Sequence, residues 1–149
     1  YSMELSDKKV TVGHGHGGSS GSILLELKRK HLDTGVSTTP ALVLLDEDNG
    51  LDEEAEAILG DYPTVQVVFS APQCLDGLLL DLLDDLPPAS RRSSQQLKKH
   101  FQDRYLQTRH GVQAAFKQKR HEILPRSLLE SRKASNQVIK EIFTFLELL

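Results

Sequence analysis

The run ALVLLD, residues 41 to 46, constrains the fold of this chain more than any other feature. It is a continuous apolar run of strand length between a polar connection, 34 to 40, and the carboxylates Asp46 and Asp48. Such a run predicts a strand buried on both faces, the habit of a central parallel strand covered by helices. A second run, TVQVVFS at 64 to 70, is rich in β-branched residues and is closed by Ala71 and Pro72. Between them, residues 51 to 62 carry Asp52, Glu53 and Glu54 at the start and Gly60 near the end, which predicts a short acidic helix. A strand, a crossover helix and a second strand make a parallel pair.

The same pattern extends on both sides. Residues 9 to 14 alternate Val and Thr as a short strand does and enter GHGHGGSSGS, residues 13 to 22, read as an irregular loop. SILLELKRKH follows as a helix, with Ser19, Ser20 or Ser22 as its cap and Ile23, Leu24 and Leu27 on one face. Downstream of the third strand a helix is expected over 73 to 86, stopped by Pro87 and Pro88. The order β-α-β-α-β-α predicts an α/β fold with a parallel sheet and helices on its faces. Residues 93 to 149 read as wholly helical, in two or three pieces broken near Gly111 and Pro125. In the last piece Val138, Ile139, Ile142, Phe143 and Leu146 recur at helical spacing, a face for the core, for a protein partner or for a second copy. At 149 residues the chain suits one core: 1 to 86 as the α/β part, 87 to 149 as a basic helical extension packing on it.

An apolar fraction of 38%, with no apolar run of membrane-spanning length, points to a soluble protein with no membrane partner. With no visible signal peptide, and with Cys74 as the lone cysteine, a cytoplasmic location is expected. The net charge of −3 conceals an asymmetry: residues 1 to 86 hold 5 Lys or Arg against 16 Asp or Glu, residues 87 to 149 hold 13 against 5. A basic helical part suits contact with phosphate, or is simply a solvated surface. If the partner is nucleic acid, Arg91, Arg92, Lys98, Lys99, Arg104, Lys117, Lys119 and Arg120 are the candidate contacts. No groove-reading motif accompanies them, so contact is expected to be backbone-directed and salt-sensitive. Phe101, Tyr105 and Phe116, interleaved at helical spacing, are more often core than stacking platforms.

Asp46 and Asp48, two apart where the chain leaves a strand, can point to one side, and such oxygen donors suit Mg²⁺ or Mn²⁺. The bland reading is a solvated turn made by Asp48, Asn49 and Gly50. An EF-hand starting at Asp46 fails, because Leu51 and Ala57 stand where Gly and Glu are required. A triphosphatase loop fails at Ser19, which occupies the position of the essential Lys. A haloacid-dehalogenase-like phosphatase, with Asp46 as nucleophile, has a similar strand end but wants Thr or Val where Asn49 and Gly50 follow. In the glycine-rich loop Gly17, Gly18, Ser19 and Ser20 could bring backbone amides to a phosphate at a helix start, unless the loop is a connector. His14 and His16 are a weak metal signal. Asp76 could reach a metal or simply favour a helix N-terminus, and Cys74 lacks any nucleophile's partners.

Taken in order, VTVGHGHGGSSGSILLELKRKH, LVLLDEDNG and VVFSAPQCLDGLLLDLL resemble the TOPRIM-like domain of RloB-like proteins over residues 9 to 86. The resemblance implies a three-layer parallel sheet and metal-dependent nucleic-acid processing of the nuclease kind, in phage defence or mobile elements. It matches Asp46 and Asp48 to the metal pair and Asp76, approximately, to a further acidic position. A general-base Glu on an earlier strand is also implied. Glu4 lacks the following Gly and Glu26 lies within a helix, so the catalytic residue is unassigned and is expected upstream of Tyr1 or lost. Its loss would leave a noncatalytic interaction or structural module.

Overall fold

A computed structural model describes residues 18 to 33, 40 to 108 and 110 to 148. Their order is α1 (Ser20–Leu27), a π-helical turn (Lys28–Leu32), β1 (Ala41–Asp46), α2 (Glu53–Asp61), β2 (Val65–Ser70) and α3 (Leu75–Leu82). A 3₁₀ turn (Ala89–Arg91), α4 (Ser94–Phe101), a second π-helical turn (Gln102–Leu106), α5 (Val112–Ile123), α6 (Arg126–Arg132) and α7 (Gln137–Leu148) complete it. The described chain is mixed α/β and mostly helical, with a parallel sheet of two strands, β1 beside β2. The strand read at 9 to 14 lies outside the described residues. No described helix is long and apolar enough to cross a membrane.

Two of the expectations need correction. Val43 and Leu45 are buried but Leu44 is 37% exposed, so β1 alternates as a half-buried strand instead of being covered on both faces. The glycine-rich segment is not irregular throughout: Ser20, Gly21 and Ser22 form the first turn of α1, capped by the Ser19 side chain accepting from the Ser22 amide at 3.2 Å. The helical breaks at Gly111 and Pro125 stand where they were read, with a further break before Asn136, whose side chain accepts from the Ile139 amide.

The chain forms two compact units, each drawn from separate stretches of the sequence. Among the described residues, one comprises 18 to 33, 40 to 43, 51 to 66 and 145 to 148, the other 44 to 50, 67 to 108 and 110 to 144. In the first, α1 packs on α2 around Leu24, Ala55 and Ile58. Asp52 binds the start of both helices: Oδ1 accepts from the Ala55 amide at 2.9 Å and Oδ2 from the Gly21 amide at 3.0 Å. Gly21 has to be glycine, because a Cβ there would stand 2.6 Å from an Asp52 oxygen and 2.8 Å from Glu54.

The second unit is built on α3, α4 and α5. Cys74, Leu79, Leu80, Leu97, Phe101, Leu106 and Ile123 form its buried core, with Tyr105 and Phe116 packed against it. Phe101 stacks on Tyr105 at 5.4 Å between ring centres and meets Phe116 at 6.2 Å, so the aromatics of the basic helices belong to the core. α4 begins with a capping box in which Ser93 and Gln96 satisfy one another's backbone amides.

Candidate functional site

The carboxyl ends of β1 and β2 carry three of the candidate residues, and all three belong to the second unit. Ser70, fully buried as the last residue of β2, has its hydroxyl 3.1 Å from the Leu45 carbonyl and 2.9 Å from Asp46 Oδ1, and shares its proton between them. The same Asp46 oxygen accepts from the Leu75 amide at 2.9 Å. Cys74, the N-cap of α3, contributes no side-chain bond, so Asp46 takes the capping role from across the sheet edge. Glu47 accepts from the Gln73 amide at 2.8 Å, the Asp48 amide donates to the Gln73 carbonyl at 2.9 Å, and Asp48 Oδ2 accepts from Ser94 Oγ. Two helix N-termini, those of α3 and α4, thus face the two DxD carboxylates.

Asp76, in the first turn of α3, is half-buried. Burial pushes its carboxyl above the ordinary range and the Asp46 charge adds to this, while Lys98 opposes it. Asp46 Oδ2 and Asp48 Oδ1 accept no hydrogen bond from the described residues. Burial also raises the Cys74 thiol, which keeps it protonated and poorly nucleophilic.

This donor set can be tested for a metal. Among the described residues no three His, Cys, Asp or Glu side chains gather closely enough to form a ready-made metal cage. Mg²⁺ does not need one: it commonly takes one or two carboxylates and keeps several waters. The unbonded oxygens of Asp46 and Asp48 fit that weaker requirement.

The candidate phosphate loop is differently placed, in the first unit. Gly17 lies outside the described residues, and Gly18 has φ +117°. The Gly21 and Ser22 amides at the start of α1 are already taken, by Asp52 and Ser19 respectively. Ser20 is buried and its hydroxyl accepts from the Asp52 amide at 2.9 Å. A phosphate at α1 would have to share amides with a carboxylate of the chain itself.

The basic candidates divide by what they touch. Arg92 Nε donates to the Pro87 carbonyl at 2.8 Å, and Lys119 donates to the carbonyls of Tyr105 and Leu106, both at 3.3 Å, closing the second π-helical turn. Arg104 pairs with Asp85 at 2.8 Å, and Arg120 Nε points at His121 Nε2, 3.3 Å away. Arg91, Lys98, Lys99 and Lys117 are exposed and close no ion pair with a described residue.

A group that the sequence did not announce surrounds Asp85. Its Oδ2 receives the Tyr105 hydroxyl at 2.9 Å, His100 Nε2 at 3.2 Å and Arg104 Nε. Burial alone would raise this carboxyl, but Tyr105, His100 and Arg104 together hold it below the ordinary range. His100, Arg104 and Tyr105 lie four and five apart, and the π-helical turn brings the last onto the face of the first. No family model, no curated protein and no solved structure matches this chain.

Proposed function

We propose that this chain is a metal-dependent, nucleic-acid-processing domain of the TOPRIM-like kind, built on a sheet larger than its two described strands. One observation carries the reading: Asp46 and Asp48, held by Ser70, the Leu75 amide and Ser94, stand at the carboxyl edge of parallel strands, where α/β sheets bind their ligands. Mutual repulsion at a half-buried edge is what a divalent cation relieves. Asp46 and Asp48 would hold Mg²⁺ or Mn²⁺ through their unbonded oxygens, with Asp76 as an outer carboxylate. Bound there, the ion supplies charge neutralisation at a phosphate and a water of lowered pKa. Ser70, the Leu75 amide and Ser94 fix the two carboxylates so that little ordering remains on binding. The exposed cations Arg91, Lys98, Lys99 and Lys117 would hold a nucleic-acid backbone nearby.

The test is Mg²⁺- or Mn²⁺-dependent cleavage of DNA and RNA, with Asp46→Asn as the decisive variant. Asn keeps an oxygen that can accept from Ser70 and Leu75 while removing the charge, so loss of about a hundredfold or more in activity with an unchanged fold supports metal binding. Unchanged activity sinks the proposal.

A second reading is a noncatalytic interaction module. It is favoured by the bonds that already engage both carboxylates, Asp46 accepting from the Leu75 amide at the start of α3 and Asp48 from the Ser94 hydroxyl. A melting temperature indifferent to Mg²⁺ and Mn²⁺, together with a stable complex or oligomer in solution, would select it.

A further inference from the structure

The side chains gathered on Asp85 lie in the second unit and take no part in the function proposed above. Asp85 stands three residues past the end of α3, and its amide donates to the Leu80 carbonyl at 2.9 Å. Leu83 and Leu86, on either side of it, pack against the core, so the backbone is pinned and only the carboxylate need turn to leave. The groups that reach it come from the last turn of α4 and from the π-helical turn that continues it. There the Gln107 amide donates to the Gln102 carbonyl at 2.7 Å, five residues back, and this wider winding carries Tyr105 onto the face of His100. Lys119 holds the turn through the Tyr105 and Leu106 carbonyls.

The donors converge on one atom. Tyr105 Oη at 2.9 Å, His100 Nε2 at 3.2 Å and Arg104 Nε at 2.8 Å all meet Asp85 Oδ2. A carboxylate oxygen offers about two lone-pair sites, so three donors exceed what it can satisfy. A phosphate group spreads the same donors over several oxygens, and a guanidinium beside an imidazole and a phenol suits it. The Arg104 side chain is 63% exposed and that of His100 35%, so a ligand reaches these donors from solvent without opening the core.

We propose that His100, Arg104 and Tyr105 form a phosphate-binding site, which the chain's own Asp85 carboxylate fills until a phosphate group displaces it. The site goes beyond the metal-dependent reading and does not require it. Asp85 is an internal competitor: the apparent affinity for phosphate is scaled down to the fraction of chains whose carboxylate is turned away.

The test compares full-chain wild type, Asp85→Asn, Arg104→Gln and the double variant Asp85→Asn with Tyr105→Phe, at pH 7 in a chelator so that no metal contributes. Inorganic phosphate is titrated against a chloride control of equal ionic strength and followed by the ¹⁵N resonances of His100. Anisotropy of a labelled single-stranded oligonucleotide is measured alongside. Wild type should show a saturable His100 shift that chloride does not reproduce and that Arg104→Gln abolishes. Asn keeps an oxygen for the donors and removes the charge, so Asp85→Asn should bind phosphate about tenfold more tightly. Adding Tyr105→Phe, which leaves the ring in the core, should take back about fivefold of that gain. A parallel gain in oligonucleotide affinity assigns the site to a phosphodiester backbone, and a gain for inorganic phosphate alone assigns it to a free phosphate group. If wild type shows no shift beyond the chloride control, or Arg104→Gln keeps it, the site does not exist, whatever the stability of the Asp85 variant. If Asp85→Asn folds and binds phosphate no more tightly than wild type, Asp85 is a structural pin and not a competitor, and the proposal falls.

Discussion

A carboxylate at the end of a buried strand is costly unless something receives it, and Asp46 is received by Ser70 and the Leu75 amide. Ser70→Ala would remove a fully buried donor and cost about 1 kcal/mol, read by denaturant unfolding. Asp52 is the clearer single-residue device, one side chain accepting from the Ala55 and Gly21 amides of two helices. Those bonds, Ala55's first, hold its carboxyl below the ordinary carboxylate range in the folded state. The stabilisation is therefore present above the unfolded value of about pH 4 and is lost as pH falls through the lower folded value. Asp52→Asn should flatten the acid limb of the stability profile below about pH 4, and a limb of unchanged steepness would count against this account.

Among the elements, α3 and α4 together supply Leu79, Leu80, Leu97 and Phe101 to the second unit's buried core. Leu97→Ala empties a position with 0% exposure and should destabilise by roughly 2–5 kcal/mol in chemical unfolding. Gly77→Ala pushes a methyl into the Pro72 carbonyl at 2.0 Å, which a backbone atom cannot yield cheaply. Its cost should reach the upper end of the roughly 1–3 kcal/mol that overpacking brings, or exceed it. Since α4 also presents Ser94 to Asp48, displacing it should weaken the proposed metal site as well. The helices were legible as helices from end signals and spacing: Asp52 opens α2, and Pro125 separates α5 from α6. Their ends were less so. α3 was read as running to Leu86 but stops at Leu82, and the next residues are set by Asp84 at φ +54° and by Arg132, which bonds Leu82 O and Asp84. That partner lies fifty residues away.

For the molecule as a whole, the two compact units cut across the charge boundary at residue 86. The acidic α3 and the basic α4 share one unit, so the opposed charges of the two halves meet locally instead of forming separate faces. If the chain binds nucleic acid as proposed, the binding should accordingly be modest and steeply salt-dependent, the logarithm of affinity falling linearly with that of salt concentration. A filter-binding titration that is flat in salt would exclude backbone recognition by these cations. Saturating Mg²⁺ at a hundred times its Kd should add about 2.7 kcal/mol of stability if the ion binds only the folded chain. Thermal melts with and without the ion measure it directly.

Local sequence alone determined the strands at 41 to 46 and 64 to 70, the intervening acidic helix, the breaks at Gly111 and Pro125 and the position of Asp46 and Asp48 at a strand end. These follow from periodicity, caps and turn residues, forces that act within a few positions of the chain. Only the tertiary structure decided that Asp52 would cap a helix thirty-one residues earlier, that Asp46 would cap α3 and that three partners would gather on Asp85. Each is a meeting of groups distant in sequence, set by which apolar faces pack together, and no spacing along the chain encodes it.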